Sequence, residues 1–137
     1  MRTLGGTFIV ILFCVMVWFS WNCKDSVTGV SQIVFPATNI SYGKYVQPLF
    51  DQQCSLPGCH TQDAKAESGN LSLESWSDAL TAIPAVIIPG DPDNSPLIWS
   101  IQATHGYPRM PPLSRSALTQ NQINGLKQWI LEGAKEN

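Results

Sequence analysis

Apolar positions recur at helical spacing in two separate stretches of the chain. After Ser41, apolar residues fall at i, i+3, i+4, i+7 and i+8, and Pro48 lies inside this pattern. We therefore predict an amphipathic helix that begins at Ser41 and is kinked or split at the proline. A second such face follows Thr119, which has capping-box spacing with Gln122. It predicts a final helix that buries Trp129.

Shorter elements are predicted between these two helices. Ser75 and Asp78 have capping-box spacing, which predicts a helix of about two turns over Trp76–Ala82. Ser95 followed by Pro96 predicts the start of another short helix. Two short apolar runs predict at most one small pair of strands: Leu71–Leu73 and Val86–Ile88. The predicted fold class is therefore a single, mostly α domain.

An apolar run near the start of the chain indicates export. Arg2 is the only charged residue before a run of twelve apolar residues, Phe8–Phe19. This length is typical of a signal peptide and falls short of the ~20 residues that span a bilayer. The longer uncharged segment Leu4–Trp21 has 18 residues, so an uncleaved anchor stays open. Because Cys23 follows directly, as at the lipidation site of bacterial lipoproteins, we favour a lipoprotein over an uncleaved anchor and over plain secretion.

These readings divide the chain into three parts. Residues 1–22 are predicted to be a signal peptide or membrane anchor, residues 23–41 the lipidation site and a flexible tether, and residues 42–137 the folded domain. The protein is then periplasmic or at the cell surface, held on the membrane by an N-terminal lipid or helix. Charged residues make up 13% of the chain and the net charge is −2. No basic face is available for nucleic acid, which excludes that class of partner.

The candidate chemistry lies in the sequence Cys54-Ser55-Leu56-Pro57-Gly58-Cys59-His60. Exported thiols are seldom left free in an oxidising compartment. Two thiols on a short loop and an adjacent histidine are what covalent haem attachment requires. Each sulfur adds to one vinyl group of the porphyrin, and the histidine coordinates the iron. The usual spacing is C-x-x-C-H, and here the Pro-Gly pair can turn a loop that is two residues longer.

Two other sites are compatible with the same residues. A Cys54–Cys59 disulfide beside an uninvolved histidine would make the chain a non-haem, exported interaction module. A zinc site would need every usual nitrogen and sulfur donor of the exported chain: Cys54, Cys59, His60 and His105.

Met110 is the candidate second axial ligand. It is the only methionine after the leader and precedes Pro111 and Pro112. A residue before proline is restricted to extended conformations, so this segment is a suitable device for holding a thioether over iron. His105 is the alternative sixth ligand, and an ordinary role for Met110 in a proline-rich turn also stays open. Arg109 is a candidate partner for a haem propionate.

Five segments, taken in order, resemble the small c-type cytochrome domains of the planctomycete type. They span Tyr45–Ala134, about two-thirds of the chain, and read VQPLFDQQCSLPGCH, GNLSLESW, IIPGDPDNSPLIWSI, RMPP and LTQNQINGLKQWILEGA. The resemblance implies a cytochrome c-like domain with one covalent haem c. The thiols of the family motif map onto Cys54 and Cys59, and its axial ligands map onto His60 and Met110.

A haem iron with both axial positions filled has no open position for a substrate. Thioether ligation also raises the reduction potential relative to two histidines. We therefore predict a mono-haem c-type cytochrome that carries single electrons between redox partner proteins outside the cytoplasm, and not an enzyme such as a haem peroxidase. The side chains predicted to pack against the porphyrin are Phe50, Leu56, Ile98, Leu113 and Trp129.

Overall fold

The computed structural model describes residues 33–137, and the regular structure in this range is helical. A π-helical turn, Tyr42–Val46, runs directly into α1 (Gln47–Gln53) and is followed by α2 (Trp76–Leu80), α3 (Pro96–Gln102) and α4 (Gln120–Leu131). The predicted mostly α fold class is confirmed. In the described range, none of the helices is long and apolar enough to cross a membrane. The predictions for residues 1–22 and Cys23 lie outside the described residues.

The first predicted helix is present, and its hydrogen-bond pattern changes from π-helical to α-helical at Gln47, one residue before Pro48. The hydroxyl of Ser41 accepts a hydrogen bond from the Lys44 backbone N–H at 3.3 Å and begins the π-helical turn. Pro48 then lies in the first turn of α1, where its missing N–H and fixed φ cost nothing. The turn and α1 together bury Val46 and Phe50 in the core.

The small pair of strands that the sequence allowed is not formed in the described residues. Within residues 33–137 neither Leu71–Leu73 nor Val86–Ile88 forms a strand. Their backbone groups have other partners: Leu73 donates its N–H to the carbonyl of His60, and Val86 accepts from the N–H of Leu97, each at 2.9 Å. Ile88 donates its N–H to the hydroxyl of Ser95, also at 2.9 Å. Each run is therefore bonded to a neighbouring loop or helix start and not to the other run.

The capping box of the last helix is formed as predicted. The Gln122 backbone N–H donates to the hydroxyl of Thr119 at 3.3 Å, and the Thr119 backbone N–H donates to the Gln122 side-chain oxygen at 2.9 Å. Beyond this cap, α4 buries one face in the centre of the domain, where Leu126, Trp129 and Ile130 are each at most 1% exposed. Trp129 is thus the core residue that its position in the helical pattern predicts.

The packed domain begins before residue 42, so the predicted tether does not extend to residue 41. Phe35 is only 4% exposed. Its backbone N–H and carbonyl both bond the side chain of Asn121, at 2.8 and 3.0 Å, across 86 residues of sequence. The carboxylate of Glu132 accepts from the backbone N–H groups of Asn39 and Ile40, at 2.7 and 2.8 Å. Backbone groups of residues 35–40 are therefore hydrogen-bonded to a side chain of α4 and to the side chain of Glu132, which directly follows α4.

Replacing Gly125 by alanine is expected to destabilise the domain, although alanine is normally the better helix former. A Cβ at Gly125 would overlap the ring of Phe35, which lies in the buried core. Overpacking of this kind costs about 1–3 kcal/mol. Chemical denaturation of the two proteins measures the difference in free energy of unfolding.

Gly43→Ala is the matched control, because a Cβ there meets its nearest neighbour, the Asn137 carbonyl oxygen, at an ordinary 3.7 Å. The free energy of unfolding of the Gly43→Ala variant is expected to equal or exceed that of the wild type. The double variant with Phe35→Ala and Gly125→Ala is expected to lose less free energy of unfolding than the two single variants together, because the Cβ at residue 125 then has no ring to overlap. Additive losses would contradict the proposed contact.

Candidate cofactor site

The cysteine loop is closed at its base by backbone hydrogen bonds. Cys54 directly follows α1, and its N–H donates to the carbonyl of Phe50 at 2.7 Å. The N–H of His60 donates to the carbonyl of Cys54 at 3.1 Å, which joins the two ends of the loop. Cys54, Cys59 and His60 therefore belong to one compact unit anchored on the end of α1.

A tight turn accommodates the two residues by which this loop exceeds the usual C-x-x-C-H spacing. The N–H of Cys59 donates to the carbonyl of Leu56 at 2.8 Å. Pro57 and Gly58 occupy the two central positions, and Gly58 has φ of +78°. This is the pattern of a type II turn, in which proline is common at the first central position and the second requires positive φ. The Pro-Gly pair thus turns the loop, as its sequence predicts.

Both thiols of the loop are free and partly buried. Burial raises the pKa of the Cys54 thiol to about 12; the neighbouring Cys59 adds to the rise, and Arg115 opposes it. Cys54 is therefore protonated at neutral pH.

His60 is held with one ring nitrogen bonded to the protein. Its Nδ1 lies 3.4 Å from the carbonyl oxygen of Leu71. Since a carbonyl only accepts, Nδ1 carries the proton and Nε2 keeps its lone pair. Burial lowers the pKa of His60, and the hydrogen bond to Leu71 opposes that shift only in part. The ring is therefore a neutral imidazole, oriented by a backbone carbonyl in the way that metal-ligating histidines usually are.

One pocket of about 550 Å³ gathers all four predicted cofactor-binding residues: Cys54, Cys59, His60 and Met110. Its walls are mainly apolar and come from three helices, with Leu49 and Phe50 of α1, Leu97 of α3 and Leu126 of α4. The volume lies within the ~300–1,000 Å³ usual for ligand pockets. Met110 lies 50 residues beyond His60 in sequence, so the fold is what brings the thioether to the cysteine loop.

Met110 is positioned by the end of α3. Its backbone N–H donates to the carbonyl of Ser100 at 2.9 Å. The next residue, Pro111, is buried and also lines the pocket, and the peptide bond between the two is cis. The side chain of Met110 is 37% exposed on the protein surface. The methionine therefore lies on a fixed backbone at the mouth of the pocket.

His105, the alternative sixth ligand, does not line the pocket. Its ring is exposed and stacks on Trp99 at 4.6 Å between centroids. Across residues 33–137, no three His, Cys, Asp or Glu side chains are grouped so that they could hold a metal ion. The four donors that the zinc alternative requires are therefore not brought together.

Sequence reasoning missed Arg115. This residue lines the pocket and acts electrostatically on Cys54, whereas Arg109, the predicted propionate partner, is half-buried and does not line the pocket. Of the five side chains predicted to pack against the porphyrin, Phe50 lines the pocket, whereas Leu56, Ile98 and Trp129 do not and Leu113 is 88% exposed, so the prediction is wrong for these four. Arg109 and Arg115 lie on either side of a proline-rich segment, and no local pattern shows which arginine faces the pocket.

The residues present fit a covalently held haem. The pocket is large and mainly apolar, as a porphyrin requires, and two free thiols lie together on its wall. The unprotonated Nε2 of His60 suits an iron ligand from the side of the thiols. A thioether stands at the mouth of the same pocket. Together, the helical fold and this set of donors are what a c-type cytochrome domain requires.

Comparison with known protein families agrees with this class. Residues 57–114 match the family model described as Planctomycete cytochrome C. The match includes Cys59, His60 and Met110, and it begins three residues after Cys54. It confirms the resemblance inferred from the sequence segments, and a match to a cytochrome c family implies a covalently bound haem c. Neither a search of curated proteins nor a search of solved structures found a match.

Proposed function

We propose that the protein is a mono-haem c-type cytochrome that carries single electrons outside the cytoplasm. The observation that carries the proposal is the convergence of Cys54, Cys59, His60 and Met110 on one mainly apolar pocket. The two thiols hold the porphyrin through thioether bonds, and His60 and Met110 are the axial ligands. One C-x4-C-H motif in the chain corresponds to one haem.

The protein groups around the pocket suit electron transfer better than catalysis. When bound, the haem supplies a one-electron Fe(III)/Fe(II) couple. His60 keeps its Nδ1 proton on the carbonyl of Leu71 and offers Nε2 to the metal. Met110, fixed through Ser100, would supply the second iron ligand, which would leave no site for a substrate on iron. The apolar walls limit the access of water and favour the less charged, reduced state.

The leader supports a proposed location at a membrane surface outside the cytoplasm. We propose that residues 1–22 export the chain and that Cys23 carries a lipid or, in its place, the leader remains as a single helical anchor. The domain is then held at the periplasmic or outer surface of a membrane. There it exchanges electrons with redox partner proteins.

Covalent haem is tested by expressing the full chain in a bacterium that has a cytochrome c maturation system. After denaturation, haem is expected to stay with the polypeptide on a stained gel and in the mass spectrum, and the signal should fractionate with membranes. A strain without the maturation system is the control and should yield apoprotein. Haem that extracts into acidified acetone, or a Cys54–Cys59 disulfide in the purified protein, would overturn the proposal and favour the interaction module.

A further inference from the structure

The segment Leu71–Leu73 holds His60 at two points and needs support of its own. The carbonyl oxygen of Leu71 lies 3.4 Å from Nδ1 of the His60 ring, and the N–H of Leu73 donates to the carbonyl of His60 at 2.9 Å. Leu71 and Leu73 are both buried and both line the cofactor pocket. Because the segment belongs to no helix or strand of the described residues, no regular ladder of backbone hydrogen bonds fixes its distance from the histidine.

Gln47, the first residue of α1, ties this segment to the helix. Its side-chain Nε2 donates to the carbonyl of Leu73 at 3.2 Å and to Oδ1 of Asp51 at 2.6 Å. Its Oε1 accepts from the hydroxyl of Tyr42. A backbone carbonyl and an ionised carboxylate can only accept hydrogen bonds, so both require the nitrogen side of the amide and thereby fix its orientation. The Gln47 amide therefore has both its N–H groups and its oxygen in use.

Tyr42 supports the same orientation of the amide from the other side. It is 5% exposed, and its ring packs against Trp129 at 5.6 Å between centroids. Burial, and after it the charge of nearby carboxylates such as Asp51, raises the pKa of the Tyr42 hydroxyl. The hydroxyl therefore stays protonated and donates to Gln47. The amide is thus held between the core of the domain and the wall of the cofactor pocket.

We propose that Gln47 is a positioning residue for the iron ligand: through the segment it supports, it keeps the carbonyl of Leu71 within hydrogen-bond reach of His60. This inference rests on the proposed electron-carrying function. The Nδ1 to oxygen distance of 3.4 Å is already longer than the usual range of about 2.7–3.2 Å, so a small retreat of the segment would break the bond. A hydrogen-bonded Nδ1–H makes the imidazole a more basic ligand and favours Fe(III). Loss of the bond is therefore expected to raise the reduction potential.

A pair of substitutions removes the bond to Leu73 and keeps the net charge of the helix. Gln47→Glu combined with Asp51→Asn retains an oxygen that accepts from Tyr42, and the new asparagine can donate to the new carboxylate. The carbonyl of Leu73 then faces an acceptor in place of a donor, so its bond is lost. Gln52→Glu combined with Asp51→Asn is the matched control, because Gln52 is exposed and the new asparagine still accepts from Gln47.

The two variants and the wild type are compared as haem-loaded full chains in neutral detergent. Hydrogen exchange of His60 Nδ1–H and of Leu73 N–H is followed by NMR in the reduced, diamagnetic state. In the Gln47→Glu, Asp51→Asn variant we expect both protons to exchange about fivefold faster, the change that loss of one ordinary hydrogen bond gives. The reduction potential should be higher, and the far-red band of methionine ligation in the oxidised state should remain. The control variant should match the wild type in all of these measurements.

Two results would overturn this inference alone. Unchanged exchange of His60 Nδ1–H in the Gln47→Glu, Asp51→Asn variant would show that the segment needs no support from α1. Exchange that rises equally at the amides of Leu126 and Ile130 in α4 would show that Gln47 only stabilises the fold. In both cases covalent haem is present and the proposed function stands. Absence of covalent haem would overturn that function, and this inference with it.

Discussion

A chain in which Cys54 and Cys59 are both replaced by alanine is expected to carry no covalent haem. Both thiols line the cofactor pocket, and no other described cysteine is available to replace them. Each single variant keeps one thioether, so haem should remain attached at lower yield. The α band of its pyridine haemochrome should move to longer wavelength, since one vinyl group is then unsaturated. Haem-stained denaturing gels and this spectrum measure the two effects.

Ser55→Ala is the control for changes inside the cysteine loop. The Ser55 hydroxyl is buried and has no hydrogen-bond partner among residues 33–137, so its removal breaks no bond and keeps both thiols. Attachment should equal that of the wild type. Covalent haem in the double cysteine variant would show that attachment occurs elsewhere, contrary to the assignment of Cys54 and Cys59.

Met110→Ala is expected to open the iron to external ligands and to lower its reduction potential. Thioether coordination of iron(III) gives a weak charge-transfer band in the far red, and this band should disappear because alanine offers no donor. The variant should bind cyanide when oxidised and carbon monoxide when reduced. The potential should fall by on the order of 0.1 V, a modest part of the ~0.8 V range that axial ligands span. Absorption spectroscopy and a redox titration measure both changes.

His105→Ala is the matched control for the axial ligand. His105 lies five residues before Met110 on the same loop and stacks on Trp99 instead of lining the pocket. The variant should keep the far-red band and a closed iron. If His105→Ala opens the iron while Met110→Ala does not, the ligands are two histidines and the assignment of Met110 is wrong.

Features fixed by near neighbours in sequence could be predicted. The capping box of Thr119 and Gln122 and the start of the first helix after Ser41 depend on residues within one or two turns, and both are present. The turn at Pro57 and Gly58 is equally local. In the same way, a thiol pair beside a histidine defines a cofactor motif without reference to the rest of the fold.

Features that depend on distant parts of the chain could not be predicted in this way. The apolar residues of Leu71–Leu73 suggested a strand, but their backbone is bonded to His60. Phe35 looked like part of a tether because its partner, Gly125, lies in α4, far along the chain. The assignment of a propionate partner to Arg109 instead of Arg115 has the same origin, since only the folded loop decides which side chain lines the pocket.

The segment between His60 and Leu71 is a loop whose two ends are joined by hydrogen bonds. The ring of His60 is bonded to Leu71 and its carbonyl to Leu73, so His60 is fixed from the far side of the segment. The entropy of closing a loop grows only slowly with its length. Because Glu67, Ser68 and Gly69 of this segment line the pocket, changes in length belong before them, near the exposed Asp63, where they should leave the ring of His60 in place. This position is suited to a fluorescent or spin label that reports on the haem without touching its ligands.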